Sequence, residues 1–250
     1  MKNLIFIALA IAAFSCSKKD EPAAVVNQNI LYKTITAEGE TKYTTDGKKL
    51  FLINELFTRK ELYFDANNSI YKVNFSGIDN STKEELHTYD ATTGNIVKSV
   101  YKFYSILINT SNTIIYDYSR PILSYRNEKT TTIDGITSKK TISGTLEFEG
   151  RNLIKNTFSE LNTNNIKTEN ISYDDKVNPF SNLFGFSKIL LDFDNHIIIN
   201  SAANNPLRYE YKRGNFTDLF NYVHTYNSDN YPIKTIINEQ PSLTTEFFYK

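Results

Sequence analysis

The chain has 250 residues with 28 basic and 28 acidic side chains, so its formal net charge is zero, and no block of Lys or Arg interrupts that balance. Such a chain lacks the basic footprint that nucleic-acid binding requires. Its 17 Tyr and 17 Phe, beside 9 Gly, 6 Pro and no Trp, are ample for a core and exclude general disorder.

The first element in chain order is an export signal. Lys2 gives a short positive start and LIFIALAIAAF (4–14) is an unbroken apolar run. That is the length of a signal-peptide core and short of the roughly 20 residues of a spanning helix. Residues 1–15 are therefore set aside from fold reasoning. The single cysteine, Cys16, follows, with small Ala13 and Ser15 flanking Phe14. A solitary thiol is a liability in an oxidising compartment, where cysteines normally come in pairs. The stretch AFSC resembles the lipobox of bacterial lipoproteins in its looser Bacteroidetes form, with Ala13 where Leu is usual. That resemblance implies an acylated Cys16 as the membrane anchor; the alternative is an ordinary signal peptide cut nearby, leaving Cys16 free or removed. No second apolar run is long enough to cross a bilayer as a helix, so attachment is expected through acyl chains alone.

Residues 16–28, charged and then small with Pro22, read as a flexible tether. Ser17 directly after the cysteine, with no Asp there, resembles lipoproteins sent to the outer membrane. The cluster Lys18, Lys19, Asp20 and Glu21 is similar to the export signals that carry Bacteroidetes lipoproteins to the cell surface, which favours the surface over the periplasmic side. Solvation alone would also explain these charges.

Residues 29–250 read as one all-β domain. ELYFDANNSIYKVNF (61–75) and ELHTYDATTGNIVKSVYKF (85–103) share one design: alternation, an aromatic followed by Asp, a turn, then alternation again. Asn67 with Asn68, and Gly94 with Asn95, suit the positive φ of tight hairpin turns. Looser copies follow in TTDGKKLFLI, GTLEFEGRNLIKNTF, ENISYDDKVNPF, RYEYKRGNFTDL and HTYNSDNYPIKTII. Uneven spacing makes this a meander of hairpins rather than a solenoid of fixed period. Spacings of three and four occur only in FSNLFGF (180–186) and FTDLFNYV (216–223), which read as one or two short helical turns capped by Asn178 and by Thr217 or Asn215. The pairs Tyr116/Tyr118, Tyr209/Tyr211 and Phe247/Tyr249 should project to one side of a strand. One aromatic face and one polar face demand an antiparallel curved sheet, or a half-closed or closed barrel.

TYDATTGNIVK, YDDKVNPF and YNSDNYPIK together are similar to a family of uncharacterised Bacteroidetes outer-membrane lipoproteins with a porin-like β fold, and more distantly to bacterial Tyr-Asp repeat proteins. The resemblance covers 144–250 and reaches the first half through its hairpin pattern. It implies a curved meander or half-open barrel, with no activity and no functional residue to carry over.

Catalytic signals are few. His87, His196 and His224 lie far apart with no zinc spacing and read as surface or strand-edge residues. No GxSxG, GxGxxG or GxxxxGK occurs. Asp174 with Asp175, and Asp192 with Asp194, read as turn-forming or solvated acids rather than a glycosidase pair or calcium ligands. No catalytic residue, metal or cofactor is assigned. Two readings follow. The first is a non-catalytic binding module for a glycan, polymer or partner protein, using Tyr209, Tyr211, Tyr116 and Tyr118 beside the amide-rich LNTNNIKTEN and NSAANNPLRYEY. The second is a carrier holding an apolar ligand inside the barrel, with Phe180, Leu183, Phe184 and Phe186 as a lid. A polysaccharide-acting enzyme is a third.

Overall fold

The computed structural model describes residues 29–77 and 81–250; the expected signal peptide 1–15, the Cys16 anchor and the tether 16–28 lie outside the described residues. Sixteen strands follow one another. The first eight are β1 Leu31–Thr36, β2 Gly39–Asp46, β3 Lys49–Asn54, β4 Thr58–Phe64, β5 Ile70–Gly77, β6 Thr82–Tyr89, β7 Ile96–Tyr104 and β8 Ile108–Asp117. The second eight are β9 Leu123–Ile133, β10 Ile136–Glu149, β11 Asn152–Glu160, β12 Ile166–Val177, β13 Asn204–Arg213, β14 Phe216–Tyr226, β15 Pro232–Ile237 and β16 Gln240–Tyr249. Every strand pairs antiparallel with its sequence neighbours, and β16 pairs with β1, so the meander closes into a barrel. Ile30 and Lys250 exchange both backbone hydrogen bonds at 3.1 Å beside that seam.

The hairpins form where the turn chemistry places them. Asp65 caps its turn by accepting from the backbone N–H groups of Asn67 and Ser69, while Asn68 takes φ 59°. Asp90 accepts from Thr92 and Thr93 with Gly94 at φ 70°, and Asn227 accepts from Asp229 and Tyr231 with Asn230 at φ 64°. A side-chain oxygen that mimics a backbone acceptor fixes the turn, and the left-handed residue matches strand twist.

Two expectations are corrected. FTDLFNYV is not helical: it belongs to β14, paired with β13 and β15. Its Phe216, Phe220 and Val223 mimic a helical stripe, but aromatic and β-branched residues at period two fit a pleated surface better. ENISYDDKVNPF makes no hairpin at Asp174 and Asp175, because β12 runs to Val177 and the chain turns only afterwards. The short turns among the described residues are 3₁₀, Phe186–Lys188 and Ile199–Ser201. The first has Gly185 at its N-cap and no side-chain cap, so Asn178 does not cap it but accepts from Phe180 N–H at 2.9 Å in the preceding turn.

A sixteen-stranded barrel ordinarily leaves an aqueous channel. Here the β12–β13 connection, 178–203, folds inward and occupies it. Phe180, Leu183 and Ile189 join Leu31, Leu50, Ile53, Leu62 and Ile70 in one apolar cluster. Leu190, Leu191 and Ile197 join Tyr101, Ile114, Tyr116, Leu123, Tyr125 and Leu146 in a second. Gly185 is required where this segment passes β5: at φ 83° a Cβ would lie 2.7 Å from the Ile70 side chain. Strand direction puts Ile30, Lys250 and the 178–203 segment at one end of the barrel, so that end is filled. The opposite end, the mouth, carries exposed apolar loop residues including Leu56, Leu107, Leu161 and Ile106, the last 93% exposed.

Candidate functional site

Inward positions change character along the barrel. On β9 they run Leu123, Tyr125, Asn127, Lys129 toward the mouth; on β12 they run Ile171, Glu169, Lys167. Alternation thus stacks an apolar floor, a polar belt and a cationic rim. The belt consists of Asn112, Asn127, Asn156 and Glu169, all fully buried.

The inserted segment meets this belt through a small hairpin bridged by Leu191 and Ile197. Its turn is again an Asp-x-x-Asn unit: Asp192 accepts from the N–H groups of Asp194 and His196, and Asn195 takes φ 69°. Asn127 Nδ2 donates to Asn195 Oδ1 at 2.7 Å, Asn156 Nδ2 to the Asn195 carbonyl at 2.8 Å, and Asn112 Nδ2 to the Phe193 carbonyl. Glu169 is the hub. Its Oε2 accepts from Asn156 Nδ2 at 2.8 Å and Ile197 N–H at 3.1 Å, and its Oε1 accepts from Tyr209 OH at 2.6 Å and His196 Nδ1 at 2.5 Å. Four donors on one buried carboxylate satisfy both of its oxygens.

The electrostatics follow from this geometry. The Glu169 carboxylate holds the His196 imidazole above its ordinary pKa, against a smaller opposing effect of burial. Burial raises the Asp192 carboxyl, and burial with the nearby Glu169 charge raises Tyr209. Tyr125 OH reaches Asn156 Oδ1 at 3.1 Å by crossing over β10 at Gly144, where a Cβ would lie 2.6 Å from the Tyr125 ring.

The sequence-predicted residues are distributed as follows. Tyr209 and Tyr211 project to the same, inner side, Tyr209 onto Glu169 and Tyr211 edge-on to His196 at 5.5 Å. Tyr116 is buried in the core, whereas Tyr118 lies beyond the end of β8 in an outer groove with Arg120, Pro121, Ile122 and Phe148. The two pairs are not brought together. Phe180 and Leu183 are buried, Phe186 packs against the same cluster, and Phe184 is partly exposed at the filled end. The histidines are not surface residues: His87 is buried against Ser99, His196 is bound to Glu169, and His224 lies between Thr235 and the Pro206 carbonyl. All three occupy inward strand or plug positions and each has a ring nitrogen bound to a protein partner, while His196 also keeps 39% of its side chain exposed. Asp192, expected in solvent or a turn, forms the turn but inside the barrel. Glu169 and the three asparagines were missed, and the repeated Asp-x-x-Asn spacing in DFDNH was the available signal. Among the described residues no group of three His, Cys, Asp or Glu side chains is placed to hold a metal ion.

The outer wall mixes many charged and hydroxyl side chains with exposed apolar ones such as Phe51, Tyr63, Tyr71, Ile115, Leu219 and Val223. β10 sends out Lys139, Thr141, Ser143, Thr145 and Glu147. Glu84 on β6 pairs with Lys72 and Lys102 on its two neighbours, and Glu210 pairs with Arg208 and Lys212. Ion pairs Arg59–Glu61, Arg126–Glu128 and Lys155–Glu147 continue round the surface. No helix among the described residues is long and apolar enough to cross a membrane, which says nothing of crossing by strands. The wall itself bears on that: a Lys or Arg facing lipid at the bilayer midplane costs about 2–4 kcal/mol.

No family model matches the chain, and no curated protein matches it. A solved structure described as a porin-like protein from Bacteroides vulgatus is similar at a TM-score of 0.56 and 13% identity, over 88% of this chain and 99% of that one. A second porin-like protein, from Bacteroides uniformis, aligns at a TM-score of 0.33 and 11% identity, over 84% of this chain and 78% of that one. The first likeness concerns the fold and agrees with the porin-like antiparallel meander that the hairpin motifs imply.

Proposed function

We propose that this chain is a non-catalytic binding protein of the bacterial cell envelope, held to the outer membrane by an acylated Cys16 and not by its barrel. It belongs on this reading with the Bacteroidetes lipoproteins that its hairpin units resemble. The observation that carries the reading is the ring of ion pairs on the outer wall together with an inserted segment packed on aromatics inside. Such a wall prefers water, and such an interior conducts nothing. The porin-like neighbour supplies the fold and its Bacteroides source supports the envelope assignment. Binding then falls to the mouth, where Tyr211, His196 and several cations face outward from the belt beside the exposed loop 161–165. The carrier reading is not favoured, since the cleft beside the plug near Tyr222, His224 and Phe247 amounts to about 200 Å³, below the roughly 300–1,000 Å³ of ligand pockets.

The test is fractionation of cells producing the full chain and its Cys16→Ser variant. The unaltered chain should sediment with membranes and the variant should appear in the soluble fraction. A variant that stays in the membrane through alkaline extraction, or purified protein that opens steady conductances in a planar bilayer, would overturn the proposal.

A further inference from the structure

Inward cations crowd the mouth. Lys129 stands directly opposite Lys140 across β9 and β10, and Lys167 directly opposite Arg213 across β12 and β13. Like charges directly opposite destabilise a sheet. The first pair is neutralised within the protein, by Lys129–Asp194 at 3.2 Å and Lys140–Glu160 at 2.5 Å. The second is not: among the described residues neither Lys167 nor Arg213 has a carboxylate partner. Lys167 instead lies over the Phe158 ring at 5.4 Å, and its own charge is disfavoured by burial and by Lys140 and Arg213, against smaller opposing effects of Glu160 and Asp194.

Further donors face the same space. Tyr211 sits across from Glu169 in the register, one inward position below Arg213, with no hydrogen-bond partner for its hydroxyl among the described residues. His196 uses Nδ1 on Glu169, leaving Nε2 without a partner among the described residues, and its ring stands edge-on to Phe158 at 6.3 Å and to Tyr211 at 5.5 Å. Of the acids nearby, Asp194 and Glu160 are held by lysines and Glu169 by the belt. Asp192 is held by the N–H groups of its own turn, and Asp218, directly opposite Tyr211 on β14, is the remaining one.

Resting on the binding role proposed above, we infer that the mouth holds a subsite for an acidic saccharide, with Lys167 and Arg213 clamping its carboxylate or sulfate, His196 donating a further hydrogen bond, and Tyr211 presenting its ring to the sugar. Arg and Lys together suit an oxyanion. A half-exposed Tyr beside them offers an apolar face with a polar tip, as sugar stacking requires. Asp218 is placed to accept from sugar hydroxyls, which a purely inorganic anion lacks.

The experiment uses the full-length lipoprotein in mild detergent and titrates four probes by calorimetry: a hexagalacturonate, a heparin-derived hexasaccharide, a neutral maltohexaose and a hexaglutamate peptide. Binding of an acidic hexasaccharide should weaken at least about tenfold in the Lys167→Ala/Arg213→Ala variant. It should stay unchanged in Lys72→Ala/Lys102→Ala, which removes the same charge from the outer wall. Tyr211→Ala should weaken both acidic sugars and leave the melting transition in place. The galacturonate and heparin arms tell a carboxylate from a sulfate. Equal loss in both double variants, or equal binding of hexaglutamate, overturns the subsite. Tight maltohexaose binding with no acidic binding also overturns it, while leaving the broader binding role intact. Failure of all four probes, together with membrane retention of Cys16→Ser, would overturn both.

Discussion

Glu169→Gln isolates the hub of the interior with almost no change in shape. Four donors converge on the two carboxylate oxygens, from Asn156, Ile197, His196 and Tyr209. An amide offers one acceptor oxygen and turns an NH₂ toward the other pair of donors. Hydrogen bonds to a charged group exceed neutral ones by about 1 kcal/mol each. Tyr209 and a neutral His196 can rotate or change tautomer to accept, which returns part of the loss. Breaking one partner of a buried pair costs roughly 3–5 kcal/mol, and the 39% exposure of the His196 side chain argues for the lower end. The expected destabilisation is about 3 kcal/mol, or a fall in Tm of about 6–12 °C at this chain length. Urea unfolding followed by far-UV circular dichroism and tyrosine fluorescence measures it, the chain having no Trp. A double-mutant cycle with His196→Gln should give a coupling of about 1 kcal/mol or more. A loss below about 0.5 kcal/mol, the range of an ordinary surface change, would refute the role given to Glu169.

Gly144→Ala places a Cβ 2.6 Å from the Tyr125 ring and should cost about 1–3 kcal/mol, partly restored when Tyr125→Leu is added; thermal melts of the three variants decide this. Stability should also respond to pH through His196. Its folded pKa lies above the unfolded value of about 6.5, so its contribution is complete below that pH and fades as pH rises through the folded value. Asp192, raised by burial, acts in the same sense at lower pH. Carboxyls lowered by lysines, such as Glu84, lose their contribution only on acidification below the carboxylate range. Tm should therefore fall as pH rises above about 6.5, and His196→Gln should flatten that decline.

Much of the meander was legible because hairpin turns are local. Asp65, Asp90 and Asn227 sit within five residues of everything that fixes their turns. Phe216–Val223 misled because spacings of three, four and two coexist in FTDLFNYV, and only pairing with β13 and β15 decides between them. The expectation of one aromatic and one polar face was met only in part: Phe51, Tyr63 and Tyr71 are exposed outside, and Asn112, Asn127, Asn156 and Glu169 occupy inward positions that composition alone assigns outside. Their partners belong to the inserted segment, 26 or more residues away along the chain. No periodicity within a strand encodes that a loop will return to it. The cationic mouth was hidden for the same reason: Lys167 and Arg213 become neighbours only through register.

Pairing of β1 with β16 also governs when the wall can be finished. Thr34 meets Phe247 and Ile35 meets Glu246, so the first strand to be made waits for the last. Throughout that interval β1 presents a row of open amide and carbonyl groups, the condition under which strands stick to foreign chains. Joining segments so remote in sequence is slow. The ten residues of β16 therefore act as a zip fastener for the molecule: with them the sheet has no rim left to recruit a stranger, and without them it has two.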